Sequence, residues 1–270
     1  VQDNGDVYFM GGGGEDNYYG GRSGIPQNWN GGLHYSNKFN NSKQILNSGY
    51  KISKVNSPSG ERTYTTNFVG DSSFSSNKIT SGFSSKLKQS LNVSFETNID
   101  SSNSLKFTAR GNLNNTKSNS TYNLQSLNSK LLLINNSSRT TSSTIDNSAL
   151  NTNLLWKHKF KKLARTLTIN ASYNLSNSNT DSYLFSKNDY YDNGIPYRID
   201  TTDQENKREN KSNTFATTIT YTEPLAKDFF MSLTYNYSNS SNSNNTFTYE
   251  QDIKQKHTVR IDSLSISFLF

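Results

Sequence analysis

The residues able to do chemistry are few and scattered. The histidines, His34, His158 and His257, are far apart, whereas a histidine metal site needs ligands that converge on one point. No cysteine is present, which removes thiolate ligands, a cysteine nucleophile and any disulfide framework. Gly11–Gly14 is not followed by the Lys-Ser/Thr and helix start that a phosphate loop requires, so it reads as a flexible loop. Asp181, Asp189, Asp192, Asp200 and Asp203 crowd one polar stretch. They would hold Ca²⁺ only if their oxygens converged, and a solvated loop is the default. No nucleophile, base and orienting group recur at a usable spacing. The expectation is a protein that is not an enzyme, with no cofactor and no metal.

Two further groups point to surfaces rather than catalysis. Lys157, His158, Lys159, Lys161, Lys162 and Arg165 form the one basic cluster. It could meet nucleic acid, but at a turn between strands Lys and Arg more simply snorkel at a membrane edge, so no nucleic-acid partner is expected. Tyr18, Tyr19, Tyr183, Tyr190, Tyr191 and Tyr197 fall in polar stretches read as loops. Exposed loop aromatics offer large contact area at small entropic cost, which makes these the candidate ligand-binding residues. The bland reading is that they pack on their own loops.

Which elements could position such residues? Of 270 residues, 31% are hydrophobic, 18% charged and 12% aromatic, with a net charge of +7; mean hydropathy is −0.82. Asn, Ser and Thr supply about 40% of the chain, and their side chains compete with the backbone inside helices. The composition therefore argues against a helical or doubly wound enzyme. Yet 16 Tyr and 15 Phe are too many for a disordered polar tract. No run of 18 apolar residues exists for a membrane helix, and the start of the chain shows no secretory signal.

The dominant signal is alternation with period two, which gives a strand one apolar and one polar face. Leu167, Ile169, Ala171, Tyr173 and Leu175 alternate with Thr166, Thr168, Asn170, Ser172 and Asn174. Leu105 to Leu113, Phe83 to Phe95, Phe215 to Tyr221, Phe229 to Tyr237, Trp29 to Phe39 and Leu150 to Phe160 repeat the pattern, and Leu46, Tyr50 and Ile52 do so more weakly. The chain is thus all-β and antiparallel.

Periodicity alone leaves a soluble sandwich open, with its apolar faces hidden between two sheets. Three features favour a transmembrane barrel of the outer-membrane type. The alternating segments span about 10–14 residues, enough to cross a bilayer when tilted. Their polar faces are Ser, Thr and Asn rather than the Lys and Glu of a soluble exterior. Short turns at Asn40–Lys43, Asp100–Asn103, Lys161–Ala164 and Glu223–Asp228 alternate with long polar connections near 56–77, 119–146, 179–209 and 241–256, as in outer-membrane barrels. Phe39, Phe95, Phe107, Phe160, Tyr221 and Phe229 sit near the short turns, where rings favour a membrane–water interface.

Several strings carry a resemblance. Gly11–Gly14 leads through Gly24-Ile25-Pro26-Gln27 into Trp29-Asn30-Gly31-Gly32-Leu33-His34-Tyr35. Further on come Leu154-Leu155-Trp156-Lys157-His158-Lys159-Phe160, Ala164-Arg165-Thr166-Leu167-Thr168 and Tyr221-Thr222-Glu223-Pro224-Leu225. In this order they resemble the barrel region of TonB-dependent receptors and related outer membrane beta-barrel family proteins of the Bacteroidota. The resemblance implies an outer-membrane receptor for ligand import, taking a nutrient or siderophore-type ligand, small or oligomeric. The partners it implies are outer-membrane lipid, the rest of the parent barrel and its plug, and TonB acting through that plug, which is absent here.

The expectation is an incomplete barrel segment of about nine long strands with alternating short turns and long loops. Residues 1–28 are a Gly-rich extracellular loop or the remnant of an incoming strand, and residues 29–270 are the barrel segment. Leu264, Ile266, Phe268 and Phe270 alternate up to a terminal Phe, as at the end of many such barrels. Nine is an odd number for a closed bacterial barrel, so a trimmed, unpaired edge is expected. Two other classes stand beside this reading: a structural or adhesive outer-membrane barrel without transport, and a secreted soluble β-rich binding protein.

Overall fold

A computed structural model describes residues 24–69, 72–226, 229–252, 257–261 and 264–269. The chain forms one antiparallel sheet, and no helix occurs among the described residues longer than a single 3₁₀ position. Its strands are β1 (Gln27–Phe39), β2 (Gln44–Val69), β3 (Ser72–Asn98), β4 (Asn103–Asn128), β5 (Leu133–Lys159), β6 (Thr166–Asp192), β7 (Ile195–Ala226), β8 (Phe229–Asp252), β9 (His257–Arg260) and β10 (Ile266–Leu269). β1 to β8 follow one another across the sheet in chain order, and both β9 and β10 pair with β8. Among the described residues nothing joins β1 to the far edge, so the sheet is open. β1 begins at Gln27, inside the segment expected to precede the barrel. Tyr18, Tyr19 and Gly11–Gly14 lie outside the described residues.

The strands are far longer than the alternation foretold. β2 to β7 run 26 to 32 residues, about 85–105 Å at the usual rise. The connections expected to be long loops are these strands continuing, mostly as ladders paired on both sides. Where the described residues show the distal turns, they are tight. Asn193-Gly194 joins β6 to β7 with φ of 47° and 81°, the two positive values that a two-residue hairpin turn needs. Between β4 and β5, Asn128 Oδ1 accepts the backbone N–H groups of Lys130 and Leu132, both at 2.9 Å. Tyr183, Tyr190, Tyr191 and Tyr197 are consequently strand residues, not loop residues. The reason is physical. With polar side chains on both faces, a strand loses the alternation that announces it, but its backbone ladder is unaffected.

Three of the four short turns, at Asn40–Lys43, Asp100–Asn103 and Lys161–Ala164, fall where expected. Asn40, Asn41 and Ser42 turn β1 into β2 through the left-handed region, which Asn tolerates well. Asp100 closes the β3–β4 turn by accepting the N–H groups of Ser102 and Asn103, each at 2.7 Å. Glu223–Ala226 belongs to β7, and residues 227–228 lie outside the description.

Pairing sorts the side chains cleanly, because directly paired residues share a face. One row reads Leu33, Tyr50, Leu91, Gly111, Leu150, Leu175; another reads Asn37, Leu46, Phe95, Phe107, Leu154, Ala171, Thr217, Tyr237. These rows lie on an apolar face. The opposite face is mostly polar, as in the row Ser57, Ser84, Ser118, Ser143, Ser182, Asn206, Thr248, with isolated apolar residues such as Val55, Ile145 and Leu155. Hydroxyl and amide rungs zip it crosswise: Ser36 to Asn47 at 2.6 Å, Ser212 to Asn242 at 2.6 Å and Thr218 to Asn236 at 2.8 Å.

Candidate functional site

The feature that calls for explanation is the apolar face. Along most long strands the apolar residues span six to eight residue steps, as from Leu105 to Leu113 or Leu167 to Leu175, about 20–26 Å, and on β3 Phe83 continues the same face. Beyond that band both faces are largely polar. Not one hydrophobic side chain among the described residues is buried. Leu154 remains 42% exposed, Leu33 66% and Leu233 57%. The chain exposes 19066 Å² in all, against about 12,000 Å² for a compact monomer of this mass.

The band also drifts across the sheet. On β3 it runs from Leu87 to Phe95; on β8 it runs from Tyr237 to Phe229, and Tyr237 lies in the row of Phe95. The band thus shifts by eight residues, about 26 Å, while five strand spacings cover about 24 Å. Relative to the perpendicular of the strands it slants by roughly 45°, the order of the strand tilt in barrels.

At the turn end the band stops at an aromatic and charged rim. Trp156 stacks on His158 with ring centres 5.8 Å apart, His158 meets Phe160 edge-on at 4.5 Å, and Phe160 meets Tyr221 at 6.2 Å. Phe95 pairs directly with Phe107; Phe39 and Phe229 end β1 and begin β8 beside it. All six candidate interface aromatics therefore gather toward this end. Trp156 and His158 complete the set, and their shared parity with Phe160 was the signal for it. His158 Nδ1 lies 2.8 Å from Asn103 Oδ1, which occupies that ring nitrogen.

The basic cluster divides in two. Lys157 and Lys159 project from the polar face, whereas Lys162 and Arg165 clamp Glu223 from the next turn. Arg165 binds both carboxylate oxygens, Nε to Oε2 at 2.7 Å and Nη2 to Oε1 at 2.8 Å. Lys162 Nζ adds a bond to Oε1 at 2.6 Å and one to the Pro224 carbonyl at 2.8 Å. The Tyr221 hydroxyl donates to Oε2 at 2.5 Å. Only 13% of the Glu223 side chain stays exposed. Hydrogen bonds from Arg165, then Lys162 and Tyr221, hold its carboxyl far below the usual range. Asn103 and the Ser102 N–H lower Asp100 likewise. Nothing in the sequence reveals the clamp, since Glu223 meets Arg165 only through the β6–β7 pairing.

The tyrosines separate. Tyr190 and Tyr197 come together at the β6–β7 tip, their rings 6.4 Å apart, with the Arg198 guanidinium 5.5 Å from the Tyr190 ring. A bulge at Tyr190/Tyr191 places Tyr197 outside the ladder. Tyr191 points to the other face. Tyr183 lies lower on β6, where a hydrogen bond with Asp203 raises its phenol. The aspartates find separate company: Asp189 pairs with Lys187 at 3.0 Å and Asp200 with Arg198 at 2.7 Å. No metal-ligating group of three or more occurs among the described residues.

A hollow lies within the apolar face at Gly111. Gly111 has no side chain, and Tyr50, Leu91, Leu113, Leu150 and Leu175 surround the gap, about 390 Å³ in volume. A Cβ at Gly111 would touch nothing within 4 Å.

No known family model matches this sequence, and no curated protein matches it. No helix among the described residues is long and apolar enough to cross a membrane. The all-β architecture is compatible with an outer-membrane barrel.

Proposed function

We propose that this chain is a wall of an outer-membrane β-barrel that serves ligand import, of the kind its motifs resemble in TonB-dependent receptors of the Bacteroidota. One observation carries the reading: an apolar band about 20–26 Å deep lies on one side of a single-layer sheet with none of its described side chains buried. Exposed apolar area on this scale requires a cover. A soluble sandwich covers such a face with a second sheet, and the described residues contain none. Lipid fits in extent, since outward-facing bands of transmembrane barrels stand about 25 Å tall. The slant of the band and the aromatic rim at its turn end support the same partner.

On this reading the Ser, Thr and Asn face lines an aqueous interior, and further strands and a plug of the parent protein meet the edges and that interior. TonB acts through the plug. The long hairpins rise on the extracellular side, and the Tyr190–Tyr197–Arg198 tip contributes to the ligand mouth. The protein should fractionate with outer membranes and migrate faster on denaturing gels before boiling than after. Recovery in the aqueous phase without detergent would overturn the proposal.

A further inference from the structure

The net charge of +7 is not spread evenly over the sheet. On the polar face four successive rows each carry a cation on β2, β3 or β4: Lys86, Lys88, Lys51 and Arg110. Read across the sheet from β1 to β8, these rows contain no carboxylate at all. Arg208 on β7 adds a fifth cation in the row of Lys86. Neutral rows bound them on both sides: Ser57 to Thr248 distally, and Ser36, Asn47, Ser94, Thr108, Asn153, Ser172, Ala216, Ser238 toward the turns. Elsewhere on this face Lys78 is neutralised by Glu61 and Lys106 by Glu96, while Lys38, Lys157 and Lys159 stand near the turn end and Arg139 toward the distal end. Lys51, Lys86, Lys88 and Arg110 are all exposed, and none joins an ion pair among the described residues.

Strand geometry places these groups close together. Lys86 and Lys88 stand about 7 Å apart along β3, Lys51 about 8 Å from Lys88, and Arg110 about 12 Å from Lys51. Unopposed cations at this spacing cost self-repulsion, which a bound counter-charge relieves. Their neighbours Ser53, Ser90, Asn92 and Asn112 supply neutral hydroxyl and amide donors of the kind that complete the coordination of carboxylate or phosphate oxygens.

We infer that the Lys51–Lys86–Lys88–Arg110 patch on the polar face binds a small polyanionic solute, one with at least two carboxylate or phosphate groups. It names the ligand class for the import reading and rests on it, because only there does this face line a confined aqueous path. In such a path the low-dielectric wall strengthens the field.

The test titrates the full-length protein in detergent with tripolyphosphate, with citrate, and with the polycation spermine. Both polyanions should bind and spermine should not, and affinity should fall at least several-fold as NaCl rises from about 50 to about 200 mM. Replacing Lys51→Gln, Lys88→Gln and Arg110→Gln together should weaken polyanion binding at least about tenfold. The control Lys54→Gln, Arg62→Gln and Lys117→Gln removes the same charge from the opposite face and should leave binding within about twofold. The charge-preserving set Lys51→Arg, Lys88→Arg and Arg110→Lys should retain it, which separates lost charge from lost folding. Equal loss in the first two sets, or spermine bound as well as tripolyphosphate, would overturn the inference. A heat-modifiable, membrane-borne protein that binds neither polyanion sinks the patch alone; recovery from the aqueous phase sinks the barrel.

Discussion

Glu223 shows how one residue ties two separate turns together. Its carboxylate receives a bidentate guanidinium, an ammonium and a phenol at once, so its ionised form is strongly favoured in the folded state. The sign of the pH effect follows. A carboxyl whose folded pKa is depressed stabilises the fold above the unfolded value near 4.3, and that stabilisation drains away as pH falls further. Asp100 acts in the same direction. Thermal unfolding followed from about pH 7 to about pH 3 should therefore show stability dropping below about pH 4.5. Glu223→Gln should flatten that drop and lower the melting temperature at neutral pH. An unchanged acid limb in the variant would mean that other carboxylates dominate.

The hairpin is the element on which sequence and structure part company. Where one face is apolar, as from Leu167 to Leu175, period-two alternation marks the strand and its parity, and both are found in the sheet. Past Leu175 the same strand runs on through Ser176, Asn177, Ser178, Asn179 and Thr180, polar on both sides, and alternation has nothing left to report. The stretch from 179 to 209 therefore read as a loop. A usable sign was present in Asn193-Gly194 between Tyr191 and Ile195, the dipeptide that suits a two-residue hairpin. The Tyr190–Tyr197 pairing was illegible without it. Gly194 sits at φ +81°, where a β-branched side chain is strained by about 1–2 kcal/mol. Gly194→Val should loosen the distal few residues of β6 and β7 and leave the band intact. Faster amide exchange at Tyr190 and Arg198, with unchanged protection at Ile169 and Ile219, is the expected readout; uniform loosening would show that the tip supports the whole hairpin.

For the molecule as a whole the decisive contrast is between two faces one side chain thick. Leu154 and Asn153 are neighbours on β5, yet Leu154 projects into the apolar band, in the row of Phe107, and Asn153 onto the polar side, where its amide donates to Asn170 at 2.7 Å. Leu154→Arg should cost about 2–4 kcal/mol in lipid, the penalty of a mid-bilayer cation, and Asn153→Arg much less. Denaturant unfolding in liposomes measures both, and equal costs would refute the lipid-facing assignment. The sequence carried this division in its parity but not the charge imbalance of the polar side. That imbalance depends on which strands stand side by side, and only the register discloses it.

The order of the strands has a consequence for how such a wall is assembled and altered. Each strand from β2 to β7 pairs only with the strands immediately before and after it in the chain, and among the described residues no crossover connection pins one distant segment of these strands to another. The sheet therefore behaves as a linear array, in which stability is a sum over adjacent pairs. It can grow by laying down one hairpin after the next from either margin. Deleting or duplicating a whole hairpin would alter the circumference of the finished wall while leaving every surviving register untouched.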